Sequence, residues 1–497
     1  MRLSTLVNAL KEEGLLVLAP DKLDDIALND IAIDHLSNDS RKVGRRGAFV
    51  AIRGGTADGH MFIDKAVING AVAIVCEAVP EDTYASGTSF VRVHDSRRAL
   101  AVLATRFYGN PSRDIGAVGI TGTNGKTTTS MLVYGMLSGL GYKSGLIGTV
   151  EVRIGDLITP VTHTTPDAIE LNGIIARMKR EECRYLAMEV SSHALHQHRV
   201  YGIEFDVAVF TNLSRDHLDY HPSYDDYFLA KRSMFDQLSA DATAVFNIDD
   251  ELGARMIEKT PAHRLSFGMS SEAHIRFEIV DNNLDGIELE LDGHRQRFRL
   301  VGRFNAYNIA AAYASGVALG IDRKDLIQSL AEAPPAPGRF EQMSFEDGRT
   351  VIVDYAHTPD ALESVLKAVR ETRRPNQQIW CVFGCGGNRD TSKRRVMGSI
   401  AETFADHVIV TSDNPRTEEP EAIMNDIRRG MNSPERAHWV VDRREAIRLA
   451  SVSARPGDVV LVAGKGHEPY QIIGDKRISF DDRAEVAIAF GALPTEQ

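Results

Sequence analysis

The stretch TGTNGKTTT, residues 121–129, decides how this chain is read. It stands between a short apolar run, IGAVGI at 115–120, and a helical pattern, MLVYGMLSGLG at 131–141. Glycines let a backbone curl closely around phosphate oxygens and present N–H groups to them. Lys126 can then reach the terminal phosphates, while the Thr127 hydroxyl can help hold magnesium. The strict form of such a loop has glycine where this chain has Ile120, so Gly119, Gly122 and Gly125 frame it differently. The plain alternative is a tight turn before a helix, with Lys126 merely solvated.

Working outward, the strand–loop–helix pattern recurs. YLAMEV ends at Val190, VAVFTNL spans 207–213 and AVFNID spans 244–249. Apolar strands alternating with helices predict a mostly parallel sheet covered on both faces. Residues 274–300 instead alternate polar and apolar positions (IRFEI, GIELEL, RQRFRL), which predicts antiparallel strands added to that core. A helix is predicted over 305–319, and APPAPG at 333–338 reads as a hinge. Upstream, AFVAI (48–52), AVAIV (71–75) and FVRV (90–93) read as strands, with helices over 60–70 and 96–107. This small α/β unit closes with the turn NPS at 110–112. Beyond Arg339, the runs TVIVDYAHTPD, QIWCVFGCGG, HVIVTSDNPR and DVVLVAGKG each carry a strand into a polar or glycine loop. They predict a second open sheet with a ligand-facing edge at its carboxyl ends. The predicted domains are 1–114, 115–338 and 339–497.

Composition narrows the class. A chain of 497 residues exceeds one hydrophobic core, and 43% hydrophobic with 25% charged residues describes a soluble globular protein. The formal charge of -12 argues against generic nucleic-acid binding, but not against an anionic ligand held by local Arg and Lys clusters. The start MRLSTLVNALKEEG has no signal-peptide pattern, no run is long enough to span a membrane, and four cysteines form no disulfide framework. The expectation is a cytoplasmic protein.

Several side chains have two readings from the residues alone. Glu189, at the end of YLAM, suits a magnesium ligand or a helix cap. His217, in the turn SRDHLD, suits a ligand or a packed histidine. Lys231, in YFLAKRSMF, reads first as an exposed helix lysine. Asn305 and Asn308, at the start of FNAYNIAAA, read as part of a capped helix. Arg199 reads equally as an anion partner or as part of a basic surface helix.

Further motifs run across nearly the whole chain: NDSR (38–41), ADGH (57–60), TTPD (164–167), EVSSHAL (189–195) and NLSRDHLDYH (212–221). They continue with KRSMF, GRFNAYNIAA, PGRFE, DYAHTPD, GCGGNRD, DNPR and GKGHE. With the GTNGKTT form of the phosphate loop, this set resembles the Mur ligase family, and its muramoyl-peptide branch in particular. The resemblance implies an α/β, three-domain architecture: a small N-terminal α/β domain, a central P-loop ATPase-like domain and a C-terminal Rossmann-like domain. It implies a monomer that makes a peptidoglycan precursor, with no nucleic-acid partner and no stable membrane insertion. Activity would consist of joining an amine to a carboxylate through an acyl phosphate, with ATP as cosubstrate and Mg2+.

The resemblance also assigns roles. Gly122, Thr123, Asn124, Gly125, Lys126, Thr127 and Thr128 would cradle ATP, with Asn305, Asn308, Arg339, Asp354 and His357 completing its pocket. Thr127, Glu189, His217 and a carbamylated Lys231 would support magnesium, and Lys126, Lys231 and His217 would be catalytic. Ser40, and less firmly Arg41, would contact the uridine diphosphate end of the substrate UDP-N-acetylmuramoyl-L-alanyl-D-glutamate. Thr164, Thr165, Ser191, Gln197 and Arg199 would hold its sugar or peptide. Arg389, Asp413, Asn414, Pro415, Arg416, Gly464 and Glu468 would bind the incoming amino acid.

That amino acid is expected to be meso-diaminopimelate. A ligand with a second carboxylate suits an arginine at 416, which would repel the far ammonium of L-lysine. The plain reading of DNPR is an Asx-type turn with Arg416 exposed. The competing functions are an L-lysine-adding ligase, a folylpolyglutamate synthetase, a nucleotide-driven switch and a noncatalytic scaffold.

Overall fold

The computed structural model describes residues 1–18, 25–54, 57–79, 87–160 and 164–491. Residues 161–163 of the VTHTTPD tract, and residues 55–56 of the glycine turn before ADGH, lie outside them.

Three sheets follow one another along the chain. The first contains β1 (Leu16–Leu18), β2 (His35–Ser37), β3 (Gly47–Val50), β4 (Ala71–Cys76) and β5 (Ser89–Val93), in the order β1-β5-β4-β3-β2. All its neighbours pair in parallel except β1, which runs against β5. The helix predicted over 60–70 is two pieces, a 3-10 turn Gly59–Phe62 and a helix Ile63–Ile68. Asp58 explains the tight turn, since its carboxylate accepts the His60 N–H at 3.0 Å and lies 2.6 Å from its ring nitrogen.

The second sheet is built on β6 (Gly116–Thr121). Its other strands are β7 (Ser144–Ile147), β8 (Glu151–Ile154), β9 (Leu157–Pro160), β10 (Tyr185–Glu189), β11 (Val207–Phe210), β12 (Thr243–Asn247) and β13 (His263–Gly268). β14 (Ile275–Asn283), β15 (Gly286–Leu291) and β16 (His294–Phe298) complete it, in the order β16-β15-β14-β13-β12-β11-β6-β10-β7-β8-β9. The pairs from β7 through β13 are parallel. Antiparallel pairs extend both ends; over 274–300 the alternation predicts the pairing of β14, β15 and β16 with one another, but β14 itself joins β13 in parallel. The central strands β6, β10 and β11 are almost entirely buried because both faces are covered, whereas β13 opens with exposed His263 and Arg264. Val118, Ile120 and Ala187 pack towards the helices Lys126–Gly139 and Arg303–Ala318, while Ala117, Leu186 and Met188 pack on the opposite face.

The third sheet contains β17 (Glu341–Ser344), β18 (Thr350–Asp354), β19 (Ile379–Phe383), β20 (His407–Val410), β21 (His438–Trp439) and β22 (Val459–Ala463), in the order β17-β18-β22-β19-β20-β21. Only β17 is antiparallel. A hairpin of β23 (Tyr470–Ile473) and β24 (Lys476–Ser479) stands beside it. Among the described residues, no helix is long and apolar enough to cross a membrane.

Beneath the carboxyl edge of this sheet lies a fully buried ion pair. Arg443 reaches Asp482 at 2.7 and 2.8 Å and also donates to the Ala463 carbonyl at 2.9 Å. Removing one partner strands a charge in the core, so Asp482→Ala is expected to destabilise the protein by roughly 3–5 kcal/mol. Denaturant unfolding followed by tryptophan fluorescence checks this, because Trp380 and Trp439 both belong to this sheet.

Candidate active site

The carboxyl ends of β10, β6 and β11 lie side by side, with Glu189 opposite Ile120 and Phe210 opposite Thr121. The glycine loop leaves β6 into a crowded space. A Cβ on Gly122 (φ 151°) would lie 1.9 Å from the Thr211 hydroxyl, and one on Gly125 (φ 86°) would lie 2.4 Å from Asn308 Oδ1. Side chains fix the loop from both directions. Thr211 Oγ1 donates to the Asn124 carbonyl at 2.7 Å, and the Asn124 N–H donates to Asn212 Oδ1 at 3.0 Å. Thr129 Oγ1 donates to Asn308 Oδ1 at 3.3 Å, Asn308 donates to Asn305 Oδ1 at 2.9 Å, and Asn305 donates to the Val301 carbonyl at 2.8 Å. Neither asparagine caps the helix Arg303–Ala318, whose N-cap is Gly302. Both are buried and brace the loop.

Two ammonium groups meet at one carbonyl. Lys126 Nζ donates to Gly122 O at 2.8 Å and Thr123 O at 2.7 Å, and Lys231 Nζ donates to Gly122 O at 2.8 Å. Lys231 is 1% exposed, so the surface-lysine reading does not describe it. Its Nζ lies 4.8 Å from the Tyr227 ring centroid, and the Tyr227 hydroxyl is 3.0 Å from Thr123 Oγ1. Burial pushes the Lys231 pKa well down, and the Lys126 charge adds to the effect. Burial also lowers Lys126. Crowded cations around a loop with free first-turn amides favour an anion there.

Glu189 is no helix cap; Ser191 caps the following helix, Ser192–His196. The Glu189 carboxylate accepts the Thr149 N–H at 2.6 Å, the Thr149 hydroxyl at 3.0 Å and the Thr127 hydroxyl at 3.0 Å. Arg339 adds a donor to Thr127 Oγ1 at 3.1 Å. His217 has a left-handed backbone (φ 56°), and its ring lies 3.5 Å from Asp216. Burial pushes its pKa down to about 4, leaving a neutral imidazole. Among the described residues, no three His, Cys, Asp or Glu side chains converge on one point. The Thr127 hydroxyl and the Glu189 carboxylate offer the oxygen donors that fit magnesium, which keeps waters and phosphate oxygens as further ligands and needs no protein cage; a neutral His217 imidazole suits a hydrogen bond to such a water rather than direct coordination.

The candidates for the anionic substrate form one network beside this centre. Thr149 Oγ1, whose proton goes to Glu189, lies 3.1 Å from Thr164 Oγ1 and can accept from it, and Thr165 Oγ1 donates to the Glu189 carbonyl at 3.0 Å. The Ser191 N–H donates to Thr165 Oγ1 at 3.2 Å. Arg199 donates to the Thr165 carbonyl at 2.8 Å and holds Gln197 Oε1 at 2.7 and 3.1 Å. Arg199 and Gln197 line a small cavity with Asn38, Arg97 and Asp167, between the first and second sheets. Ser40 is buried two residues beyond Asn38, and its carbonyl accepts from Asn69 at 2.8 Å. Arg41 pairs with Asp39 at the surface, as a plain turn arginine does.

Arg339 stacks on Tyr355 at 4.3 Å. Both Asp354 oxygens accept backbone N–H groups at 2.7 Å, from Phe340 and from Ala356, so this carboxylate ties the interdomain segment to β18. His357 follows in the same loop, where its carbonyl accepts from Lys393 at 2.8 Å.

The loops after β19, β20 and β22 gather the remaining candidates. Asp413, Asn414 and Pro415 are buried and Arg416 is half-buried. Arg416 adopts φ 53° and donates to the Gly387 carbonyl at 2.8 Å, so the exposed-arginine reading does not hold. A Cβ on Gly386 would lie 3.1 Å from Arg416 Nη1 and 3.8 Å from Arg389 Cγ, so the two arginines flank that glycine. Gly464 (φ 117°) approaches the Asp413 carboxylate, and Glu468 accepts from Asn414 Nδ2 at 2.9 Å. Sequence reasoning missed Thr149, Asp216 and Lys465, the last of which is fully buried among these side chains.

Comparison with known proteins identifies the family. The sequence model of the Mur ligase family catalytic domain matches residues 32–108, that of the Mur ligase middle domain 120–316, and that of the Mur ligase glutamate ligase domain 338–466. A UDP-N-acetylmuramoyl-L-alanyl-D-glutamate--2,6-diaminopimelate ligase of Cytophaga hutchinsonii is 45% identical over 91% of this chain and 94% of that relative. The protein of the same name from Geobacter metallireducens is 46% identical over 94% of this chain and 96% of its own length. A solved structure of a ligase with this name matches with TM-score 0.66 and 35% identity, covering 93% of this chain and 95% of that one. A folylpolyglutamate synthase of Mycobacterium tuberculosis, 18% identical with TM-score 0.61 over 80% of this chain and 96% of that one, shares the fold. The chain belongs to the Mur ligase family and has its three-domain architecture.

Proposed function

We propose that this protein adds meso-diaminopimelate to UDP-N-acetylmuramoyl-L-alanyl-D-glutamate at the expense of ATP, forming the UDP-muramoyl-tripeptide, ADP and phosphate. The observation that carries this reading is the convergence of Lys126 and Lys231 on the Gly122 carbonyl, beside Glu189 and the Thr165–Ser191–Arg199 network. A cation-rich phosphate loop adjoins donors suited to an anionic peptide. The names of the full-length relatives support the same substrates. The working domains are taken as residues 1–114 for the UDP-substrate, 115–338 for ATP and catalysis, and 339–497 for the amino acid. It would act in the cytoplasm, the compartment to which both nucleotide substrates belong.

A carboxylate is a poor electrophile, so it must first be activated. Its oxygen attacks the γ-phosphorus of ATP, the bond to ADP breaks, and an acyl phosphate results. The amine of diaminopimelate then attacks the acyl carbon, phosphate leaves, and the amine loses a proton. Lys126 offsets charge on the transferred phosphoryl group. Thr127 and Glu189 would hold one magnesium, and His217 with a carbamate on Lys231 would support a second; magnesium bound there would offset the charge between ATP and the approaching carboxylate. Arg199 and Gln197 align the peptide, while Arg416 and Arg389 clamp a carboxylate of the amino acid and Glu468 takes its ammonium.

The test is the mass of the product after incubation with ATP and the UDP-muramoyl-dipeptide, with diaminopimelate or L-lysine supplied at equal concentration. The diaminopimelate adduct is expected to dominate. A lysine adduct, or activity with folate instead, sinks the reading. Within it, Arg416→Ala is expected to raise the KM for diaminopimelate about 10- to 100-fold while the ATP KM holds. Initial rates against each substrate check this, and unchanged selectivity removes Arg416 from the pocket.

A further inference from the structure

We propose that Lys465 is a positioning residue that sets acceptor specificity: its buried ammonium fixes Asn414 and Glu468 and neutralises one of the pocket's two carboxylates. This makes the pocket prefer an amino acid with a zwitterionic far end over one with a bare cation. The inference rests on the acceptor assignment above and extends it to a residue in contact with the pocket's walls.

Lys465 stands at the carboxyl end of β22 between two glycines with positive φ, Gly464 at 117° and Gly466 at 51°. That turn aims its side chain inward, and the side chain is 0% exposed. Nζ donates to Asn414 Oδ1 at 3.1 Å and to Glu468 Oε2 at 3.1 Å, and it lies 3.8 Å from Asp413 Oδ1. Burying a lysine ammonium is costly unless charged and polar partners surround it, and here three do.

These bonds determine how Asn414 faces. Its Oδ1 accepts from both Lys465 and the Ile472 N–H, the latter at 2.9 Å, so the amide cannot flip. Its Nδ2 is then directed at Glu468 Oε2, 2.9 Å away. One ammonium thus orients both residues assigned to the acceptor on this side of the pocket. Among the described residues Asp413 Oδ1 is buried without a hydrogen-bond partner, so its charge is balanced through space by Lys465.

Charge counting gives the consequence. Asp413 and Glu468 are two anions, and Lys465 and Arg416 are two cations, so this core of the pocket is neutral. Arg389 is exposed, so solvent weakens its field at a distance without removing its contact with a carboxylate, and the buried Arg443, which also faces Asp413 and Glu468, is paired with Asp482. A neutral pocket matches a far end bearing both an ammonium and a carboxylate. Without Lys465 one uncompensated carboxylate remains, which attracts the far ammonium of L-lysine and repels the second carboxylate of diaminopimelate.

The full-length protein with Lys465→Met tests this, by KM for ATP, UDP-muramoyl-dipeptide and each amino acid, and by competition between diaminopimelate and L-lysine. Expected are a rise of about thirtyfold or more in the diaminopimelate KM, nucleotide KM values within about twofold of wild type, and a shift of preference towards L-lysine. Lys465→Arg, which keeps the charge, should keep the preference. A parallel rise in all three KM values, or an unchanged preference, overturns the proposal. Should Lys465→Met prove insoluble, Glu468→Gln provides the opposite charge change and must lower L-lysine use relative to diaminopimelate; no change also overturns it. Wild-type protein that does not use diaminopimelate refutes the function proposed above, whereas wild-type use with an indifferent Lys465→Met refutes only the role of Lys465.

Discussion

Replacing Lys126 by alanine is expected to slow acyl phosphate formation by about 10²- to 10³-fold at saturating ATP. The reason is geometric as well as electrostatic. In the free protein its ammonium is held by the Gly122 and Thr123 carbonyls, at the mouth of a loop whose glycines cannot carry a side chain. It is therefore positioned before the nucleotide arrives, and its loss removes a fixed charge where negative charge moves during transfer. Single-turnover ADP formation isolates this step from amino-acid binding. Lys126→Ala with unchanged turnover would falsify its assignment, and a change confined to the ATP KM would limit Lys126 to binding.

Lys231→Ala is expected to lower activity by about 10²-fold or more, with partial recovery on adding acetate or formate. Burial lowers the Lys231 pKa, which favours the amine form that can add to carbon dioxide, forming a carbamate and releasing a proton. The carbamate nitrogen retains one N–H, enough to keep the bond to Gly122 O. A small carboxylate can restore the lost oxygens without restoring the lysine. Carbon-13 NMR of protein equilibrated with labelled bicarbonate supplies a second readout: a carbamate signal in wild type that is absent in Lys231→Arg. Full activity of Lys231→Ala without additive, or no such signal in active enzyme, removes the modification from the mechanism.

What the residues revealed depended on how local the causes were. The glycine loop was legible because strand, turn, lysine and helix adjoin in sequence. The central parallel strands were legible because burial on both faces leaves continuous apolar runs. β1 and β2 are three residues each, too short for any periodicity, and β7 (SGLI) lacks a β-branched run. Lys231 illustrates the other limit. A lysine among aromatic residues on a helix reads as a surface group until a carbonyl 109 residues away is placed against it. Lys465, between glycines, reads as solvated for the same reason, and Thr149 carries no motif although it makes two bonds to Glu189.

The Asp354 tether has a consequence for timing. By holding the Phe340 N–H, it fastens the segment next to Arg339 to the C-terminal sheet, with the hinge expected at 333–338 lying ahead of it. The part of the protein that delivers the amine thus carries with it a guanidinium that reaches Thr127 in the ATP loop. In the proposed mechanism, the nucleotide site is complete only once the amine's own platform has arrived. The reactive mixed anhydride is then made only with the C-terminal sheet in place beside it, where exclusion of water limits its hydrolysis.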